Sequence, residues 1–251
     1  MLKLTNVKKS FGGVLATNDL SIDFTPGSLS AIIGPNGAGK TTLFNLIAGR
    51  LRPDSGSIVF NNEEISGLPA TEIVHKGIAR AFQVASLFPS FSVQDSFEAA
   101  VLARHRKMND IVRPFSQAES RDRAHHLMQM VGLESRARTL AKHLPHGEQK
   151  LLDIGLALAL EPRLLLLDEP TAGMGPEERF QMIERVHELW EREQLTLIFI
   201  EHDMDIVFAH AQVIRVLYYG ALLAEGTPAE IRNNQAVIDA YLGAGFEEEV
   251  A

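Results

Sequence analysis

Short, wholly apolar runs alternate with amphipathic stretches along this chain, and the alternation lays out most of its elements. Leu29-Ser30-Ala31-Ile32-Ile33 is a mostly apolar run closed by a glycine, the pattern of a buried strand. Residues 42–48 continue as a helix, Pro53-Asp54-Ser55-Gly56 reads as a turn, and residues 57–60 return as a strand. Everything before residue 29 reads as short strands and turns. The period then changes. Ala124, Leu127, Met128 and Val131 fall at helical spacing and stop at Gly132, which predicts a helix with one apolar face. Leu151, Leu152, Gly155, Leu156 and Ala159 make a second stripe that stops before Pro162. Leu164-Leu165-Leu166-Leu167 then reads as a strand buried on both faces, as in parallel sheets. Pro176 opens a helix carrying Ile183, Val186 and Trp190, and residues 195–200 form another buried strand. Asp203 suits the cap of a helix whose apolar face is Met204, Val207, Phe208 and Ala211. Val213-Ile214-Arg215-Val216-Leu217 and Ala221-Leu222-Leu223 read as a closing hairpin around Tyr219-Gly220.

Strand–helix alternation of this kind predicts an α/β fold with a largely parallel sheet and helices on both faces. The helical middle interrupts it. The predicted division is a core in two parts, 1–83 and 161–251, around a helical subdomain at 84–160.

Composition narrows the function. At 251 residues the chain can bury a full core. It has no cysteine, which removes disulfides, thiol catalysis and iron–sulfur ligation. A net charge of −8 argues against a nucleic-acid-binding surface, since phosphate contacts need clustered Lys and Arg. Met1-Leu2-Lys3-Leu4-Thr5 has no signal-peptide pattern. The most apolar stretch, 151–167, is broken by Asp153, Glu161, Pro162 and Arg163 and cannot cross a bilayer. A membrane role would therefore come through a partner.

The chemistry concentrates after the first buried strand. Gly34-Pro35-Asn36-Gly37-Ala38-Gly39-Lys40-Thr41 fits the phosphate-loop pattern of glycine, four residues, then Gly-Lys-Thr. Glycines let successive backbone N–H groups curl toward phosphate oxygens, and the helix beginning near Lys40, with Thr42 in its first turn, presents its positive end to the same anion. Lys40 would reach the β- and γ-phosphates of ATP, and the Thr41 hydroxyl would coordinate Mg²⁺. A glycine-rich turn is the bland alternative; the strand before and the helix after favour the phosphate site. A second anchor is the leucine run ending in Asp168-Glu169, which places two carboxylates at a strand's C-terminal edge. Asp168 would support Mg²⁺ through water, and Glu169 would polarise the attacking water as general base. His202, after another apolar strand, would touch the γ-phosphate or hold the water. No Asn-Lys-x-Asp guanine-reading motif occurs.

In this order, these residues resemble the ATP-binding subunits of ABC transporters over essentially the whole chain. The resemblance implies a P-loop NTPase (RecA-like) core, an antiparallel β lobe and an inserted helical subdomain. It also implies a head-to-tail dimer sandwiching two ATP molecules at the cytoplasmic face of the inner membrane. By the same resemblance Phe11 matches the aromatic that stacks on adenine. Gln83, in Arg80-Ala81-Phe82-Gln83, matches the glutamine that senses Mg²⁺ and water, and the segment 84–97 would face the permease. The family's Leu-Ser-Gly-Gly-Gln signature corresponds to Leu144-Pro145-His146-Gly147-Glu148. Pro145 has neither hydroxyl nor backbone N–H, so His146, Gly147, Glu148 and the helix N-terminus behind them would offer a partner's ATP a reduced set of donors. The family's usual aspartate after the acids is replaced by Gly175.

These departures, with the run Gly77-Ile78-Ala79-Arg80-Ala81-Phe82-Gln83 and the ending Ala240-Tyr241-Leu242-Gly243, resemble one branch: ATPase subunits of branched-chain amino-acid, urea or amide importers. That branch implies pairing with a second, different ATPase subunit, or with a second copy, on two permease subunits served by a periplasmic or extracellular solute-binding protein. A soluble ABC-type ATPase acting as an assembly scaffold without a permease is the alternative.

Overall fold

The structure, a computed structural model, describes residues 1–81, 90–105 and 117–248. Its elements in chain order are β1 (Leu2–Phe11), β2 (Val14–Phe24), β3 (Leu29–Ile33), α1 (Lys40–Ile47), β4 (Ser55–Phe60), β5 (Glu63–Glu64) and α2 (Ala70–Lys76). Then come β6 (Ile78–Ala81), α3 (Val93–His105), α4 (Gln117–Val131), α5 (His146–Leu158), β7 (Leu164–Asp168) and α6 (Pro176–Glu193). The chain closes with β8 (Thr196–Ile200), α7 (Met204–His210), β9 (Val213–Tyr218), β10 (Ala221–Gly226), α8 (Pro228–Arg232) and α9 (Gln235–Glu248). Two compact units result: Met1–Lys76 with Leu195–Ala251, and Gly77–Gln194.

In the first unit, β2-β1-β4-β5 form an antiparallel sheet. Beside it in sequence, β8, β3 and β9 run parallel, and β10 returns antiparallel on β9. β3 is buried at every position, as its unbroken apolar run requires. Arg215 ties this layer together. It is buried, its guanidinium bonds Ser30 Oγ at 3.0 Å, Asp23 O at 2.7 Å and Glu225 Oε2 at 2.9 Å, and it stacks 4.2 Å from the Phe24 ring centre. Burial lowers its pKa, and Glu225 opposes that shift and keeps the charge compensated.

In the second unit β6 and β7 pair in parallel, and α3, α4 and α5 pack on one another between them in sequence. Ala124, Leu127, Met128 and Val131 form the buried face of α4, as their spacing predicts. α5 is wider than its stripe. It is buried from Leu152 through Leu158, Asp153 included, while Leu151 is only half-buried.

Four sequence expectations are corrected. The opening strands are long, at 10 and 11 residues, and bulged rather than short. β4 starts at Ser55, inside the expected turn, because Ser55 pairs with Lys8 and Asp54 is tied to β1. The Asp54 carboxylate accepts from Lys9 Nζ, Ser10 N and Ser10 Oγ, which hold its pKa down to about 2. α6 buries Met182, Ile183, Val186 and Leu189, leaving Trp190 half-buried. α7 buries Ile206 and Val207, with Met204 and Phe208 half-exposed; the Phe208 ring instead carries the Arg232 guanidinium at 4.6 Å. The Asp203 cap is as expected, with Oδ1 accepting from Asp205 N at 3.1 Å and Ile206 N at 3.4 Å.

Candidate active site

The loop 34–41 joins β3 to α1, and packing demands two of its glycines, Gly34 and Gly39. Gly34 has φ 151°, and a Cβ there would lie 2.2 Å from Leu217 O. Gly39 has φ 99°, and its Cβ would lie 2.1 Å from Ala16 O. Neither position accepts a side chain without moving the backbone of β9 or β2. The turn between β9 and β10 braces the loop from outside. Gly220 N–H donates to Ala38 O at 3.1 Å, and Asn18 N–H donates to Gly220 O at 2.8 Å. Tyr219 and Gly220, both at positive φ, make the turn the hairpin needs.

Lys40 is the loop's cation. Its side chain is buried, the residue being 6% exposed, and Nζ donates to Gly34 O at 2.6 Å and Pro35 O at 3.0 Å. Asn36, Gly37 and Thr41 are exposed, and Thr42 is half-exposed. α1 has no side-chain cap and no acid in its first turn, so its N-terminal amides keep their full positive character. An ammonium, a glycine-lined turn and an uncapped helix N-terminus therefore converge on one place, which can bind a polyphosphate.

Two other predicted residues share this unit. Phe11 stands at the end of β1, 48% exposed, with Lys9 Nζ 5.6 Å from its ring centre. His202 is exposed just after β8, and its N–H donates to the carboxylate of buried Glu201 at 3.2 Å.

The second unit holds the acids. Asp168 ends β7 and makes a buried ion pair with Arg80 of β6. Glu169 follows at φ 48°, a left-handed conformation that costs a non-glycine residue roughly 1–3 kcal/mol. Its carbonyl is held by Lys150 Nζ at 3.2 Å and Ala172 N–H at 3.2 Å. Beneath these acids a cavity of about 10 Å³ is walled by Ala81, Lys150, Asp153, Leu167 and Asp168. Asp153 is 7% exposed, and its Oδ2 has no hydrogen-bond partner among the described residues. Burial pushes its carboxyl up to about 7, against the pull of Lys150.

Leu144 is buried and Pro145 exposed at the entry to α5, where Pro145 is the uncapped N-terminal boundary at φ −54°. His146 Nε2 lies 3.1 Å from Ala172 O, which anchors the loop after the acids. Gly147 is half-buried beside Met174. The Glu148 carboxylate is paired with Arg136 at 2.9 Å. Gln83 lies outside the described residues, as do residues 84–89 of the segment expected to face the permease.

Sequence reasoning missed Arg80, Lys150 and Asp153. A charged residue inside the short apolar strand Ile78–Ala81 was the one available signal for Arg80. Lys150 and Asp153 sit a helical turn apart and read as an ordinary polar edge until the helix around them is found buried.

Parallel strands, helices and a glycine loop running into a helix define a phosphate-loop NTPase. Comparison with known proteins gives the family. Residues 17–172 match the ABC transporter family, and residues 221–247 match the branched-chain amino acid ATP-binding cassette transporter family. The high-affinity branched-chain amino acid transport ATP-binding protein LivG of Escherichia coli (strain K12) is 36% identical, over 97% of this chain and 98% of its own. The corresponding protein BraF of Pseudomonas aeruginosa is 37% identical over the same shares. The ADP conformation of an ATP-binding cassette of an ABC transporter superposes with a TM-score of 0.85 at 29% identity, covering 97% of this chain and 98% of that one. The chain belongs to the ABC transporter ATP-binding family; it is a nucleotide-binding, ATP-hydrolysing subunit with the P-loop NTPase fold. The permease-free scaffold alternative is not supported by these relatives. Proteins of this family dimerise and work with membrane permeases. No helix among the described residues is long and apolar enough to cross a membrane itself.

Proposed function

We propose that this chain is the ATPase subunit of an importer for branched-chain amino acids or similarly small polar solutes, bound at the cytoplasmic face of the membrane to two permease subunits that a solute-binding protein supplies. The observation that carries the reading is the pairing of a complete phosphate loop with a C-terminal segment, 221–247, of the branched-chain type.

In this reading Phe11 stacks on adenine, and the amides of 34–41 with Lys40 Nζ grip the phosphates. Thr41 Oγ1 and the Asp168 carboxylate are hard oxygen donors and suit Mg²⁺, Asp168 acting through water. Mg²⁺, when bound, neutralises charge on the β- and γ-phosphates. Glu169 takes the proton of the attacking water, and His202 contacts the γ-phosphate or holds that water. Gln83 reports the state of the site to the permease. His146, Gly147, Glu148 and the first amides of α5 face the ATP of a partner subunit. With Pro145 in place of the usual serine, that partner is a different ATPase chain whose own signature loop completes this chain's site, so the two sites of the dimer are unequal. The domain reading follows the same logic: the core parts 1–83 and 161–251 bind nucleotide and 84–160 moves as the helical subdomain.

The test is uptake of radiolabelled leucine, isoleucine and valine into proteoliposomes containing this chain, its second ATPase and both permeases, with binding protein outside. ATP-dependent uptake that disappears with Lys40→Ala is expected. Full coupling by this chain alone, as a homodimer on the permeases, would overturn the heterodimer. Failure to bind the permeases at all would overturn the importer reading.

A further inference from the structure

Lys150 is buried in α5, 5% exposed, and nothing in the hydrolysis scheme uses it. Its Nζ donates to the backbone carbonyl of Glu169 at 3.2 Å. That carbonyl belongs to a residue at φ 48°, a region that L side chains enter only where their surroundings hold them there. A second donor acts on the same atom, since Ala172 N–H also reaches it at 3.2 Å. Ala172 is tied back to α5 in turn, its own carbonyl lying 3.1 Å from His146 Nε2. The start of α5 thus holds the 169–172 turn at both ends, through His146 at one and Lys150, a helical turn further on, at the other.

The two donors on the Glu169 carbonyl are not equal. Ala172 N–H is a neutral amide that closes the turn locally. Lys150 brings a charged donor from another element, and a charge-assisted bond is about twice as strong as a neutral one. The direction in which a side chain leaves the chain is set by the φ and ψ of its residue. If Glu169 relaxed to a right-handed or extended conformation, its Cβ would leave the backbone in another direction and its carboxylate would go with it. A general base must stay within hydrogen-bond reach of the water it activates. Such a displacement slows the chemical step and leaves the grip on ATP intact.

We propose that Lys150 is a positioning residue for hydrolysis: by bonding the Glu169 carbonyl it holds that residue in its left-handed conformation and keeps the general base on the attacking water. The proposal rests on the reading of Glu169 as that base. It gives α5 a task in this chain's own ATP site besides the one proposed for its N-terminus.

The test is a double-substitution cycle on the assembled complex, read by phosphate release, binding of a fluorescent ATP analogue and melting temperature. Glu169→Gln defines the part of turnover that depends on the base. Lys150→Met keeps an unbranched side chain and removes its donor. We expect it to lower that part of turnover about 10- to 100-fold, the scale of one hydrogen bond to a charged group, with ATP affinity held within about threefold. Lys150→Arg, which restores a cationic donor, should recover most of the loss. Added to Glu169→Gln, Lys150→Met should slow turnover no further, because the two act through one group. Leu152→Ala, which removes buried apolar packing from the same helix, should lower the melting temperature and leave turnover within about twofold. If Lys150→Met fails to fold, Lys150→Met with Asp153→Asn, which removes both charged groups from one cavity wall, takes its place in the cycle. Unchanged turnover in Lys150→Met overturns the proposal. So does a further loss of the same size on top of Glu169→Gln, or an equal loss in Leu152→Ala, either of which would make general damage to α5 the cause. If Glu169→Gln itself leaves turnover unchanged, it is the assignment of the base that has failed.

Discussion

The loop before α1 and the loop before α5 both run into a helix whose first turn lacks a side-chain cap, yet only one brings its own cation. The first has glycines where a Cβ would strike backbone, a buried Lys40 bonded to the loop's carbonyls, and no acid in the helical first turn. The second opens on an exposed Pro145, carries Glu148 in its first turn, and uses Arg136 to occupy that carboxylate. Both offer helix amides to an anion. The first carries its own cation for a polyphosphate. In the proposed reading the second is an auxiliary face that adds a few amides to a nucleotide held by another chain. The division matches a dimer in which each ATP is gripped by one chain and only completed by another.

The largest effect should come from breaking the stronger side. Lys40→Ala removes a buried ammonium and leaves two carbonyls without their donor. Charge-assisted bonds of this kind set an expected loss of about 100-fold in MgATP affinity, with hydrolysis falling to background. Equilibrium binding of a fluorescent ATP analogue and phosphate release measure both. If Lys40→Ala retains near-normal affinity, the first loop is not the dominant grip and the contrast between the loops collapses.

Glu169→Gln comes next. It keeps the length of a residue already held at φ 48° and removes only its basicity. Turnover should drop about 10²- to 10⁴-fold, the usual worth of a positioned general base, while ATP affinity is retained or improved. Size-exclusion chromatography of the complex with MgATP should then reveal an accumulated closed dimer. A variant that still turns over at more than a tenth of the normal rate would remove Glu169 from the role of base.

These expectations rest on parts of the molecule that were legible to unequal degrees. The phosphate loop could be read because every position in it has a chemical reason that is local: φ > 0 at glycine, a cation, a hydroxyl, a helix start. β3 was found to the residue because an apolar run bounded by glycine leaves no other choice. The apolar face of α7 was misread because a helix of only 7 residues makes too few turns for a periodic pattern to choose between Met204 and Ile206. The Arg80–Asp168 pair was invisible for another reason: its partners lie 88 residues apart, and only strand pairing brings them together. What sequence conveys well here is local backbone chemistry, and what it withholds is the pairing of polar groups across elements.

Pro145→Ser tests the weaker loop directly. At φ −54° and ψ 155° Pro145 already has the extended conformation of an N-cap, so serine can replace it without moving α5. The serine restores a hydroxyl and a backbone N–H at the mouth of the auxiliary site. In the assembled complex ATPase activity should rise about 2- to 10-fold, the scale of one or two added hydrogen bonds to charged oxygens. The isolated chain should show little change, since the gain accrues to the partner's ATP. Unchanged activity in the complex would mean that Pro145 does not weaken the second site, and the proposed inequality of the two sites would go with it.

The smallest effect concerns the floor of the acidic region. Asp153 is buried beside Lys150 with one oxygen unpaired among the described residues, and burial raises its carboxyl to about 7. The folded chain therefore holds this proton more tightly than the unfolded chain, whose aspartate titrates near 3.8. Its stabilising contribution is complete below about pH 4 and is lost as pH rises through about 7. Asp153→Asn keeps the shape without the charge. It should leave the melting temperature unchanged near pH 4 and raise it by a few degrees at pH 8, given that ~1 kcal/mol moves a chain of this size by about 2–4 °C. Differential scanning calorimetry across pH 4 to 8 reads this directly. A melting temperature that tracks the unmodified chain at every pH would mean that the cavity over Asp153 solvates its carboxylate fully, and that the acids at the end of β7 stand on a wetter floor than their burial implies.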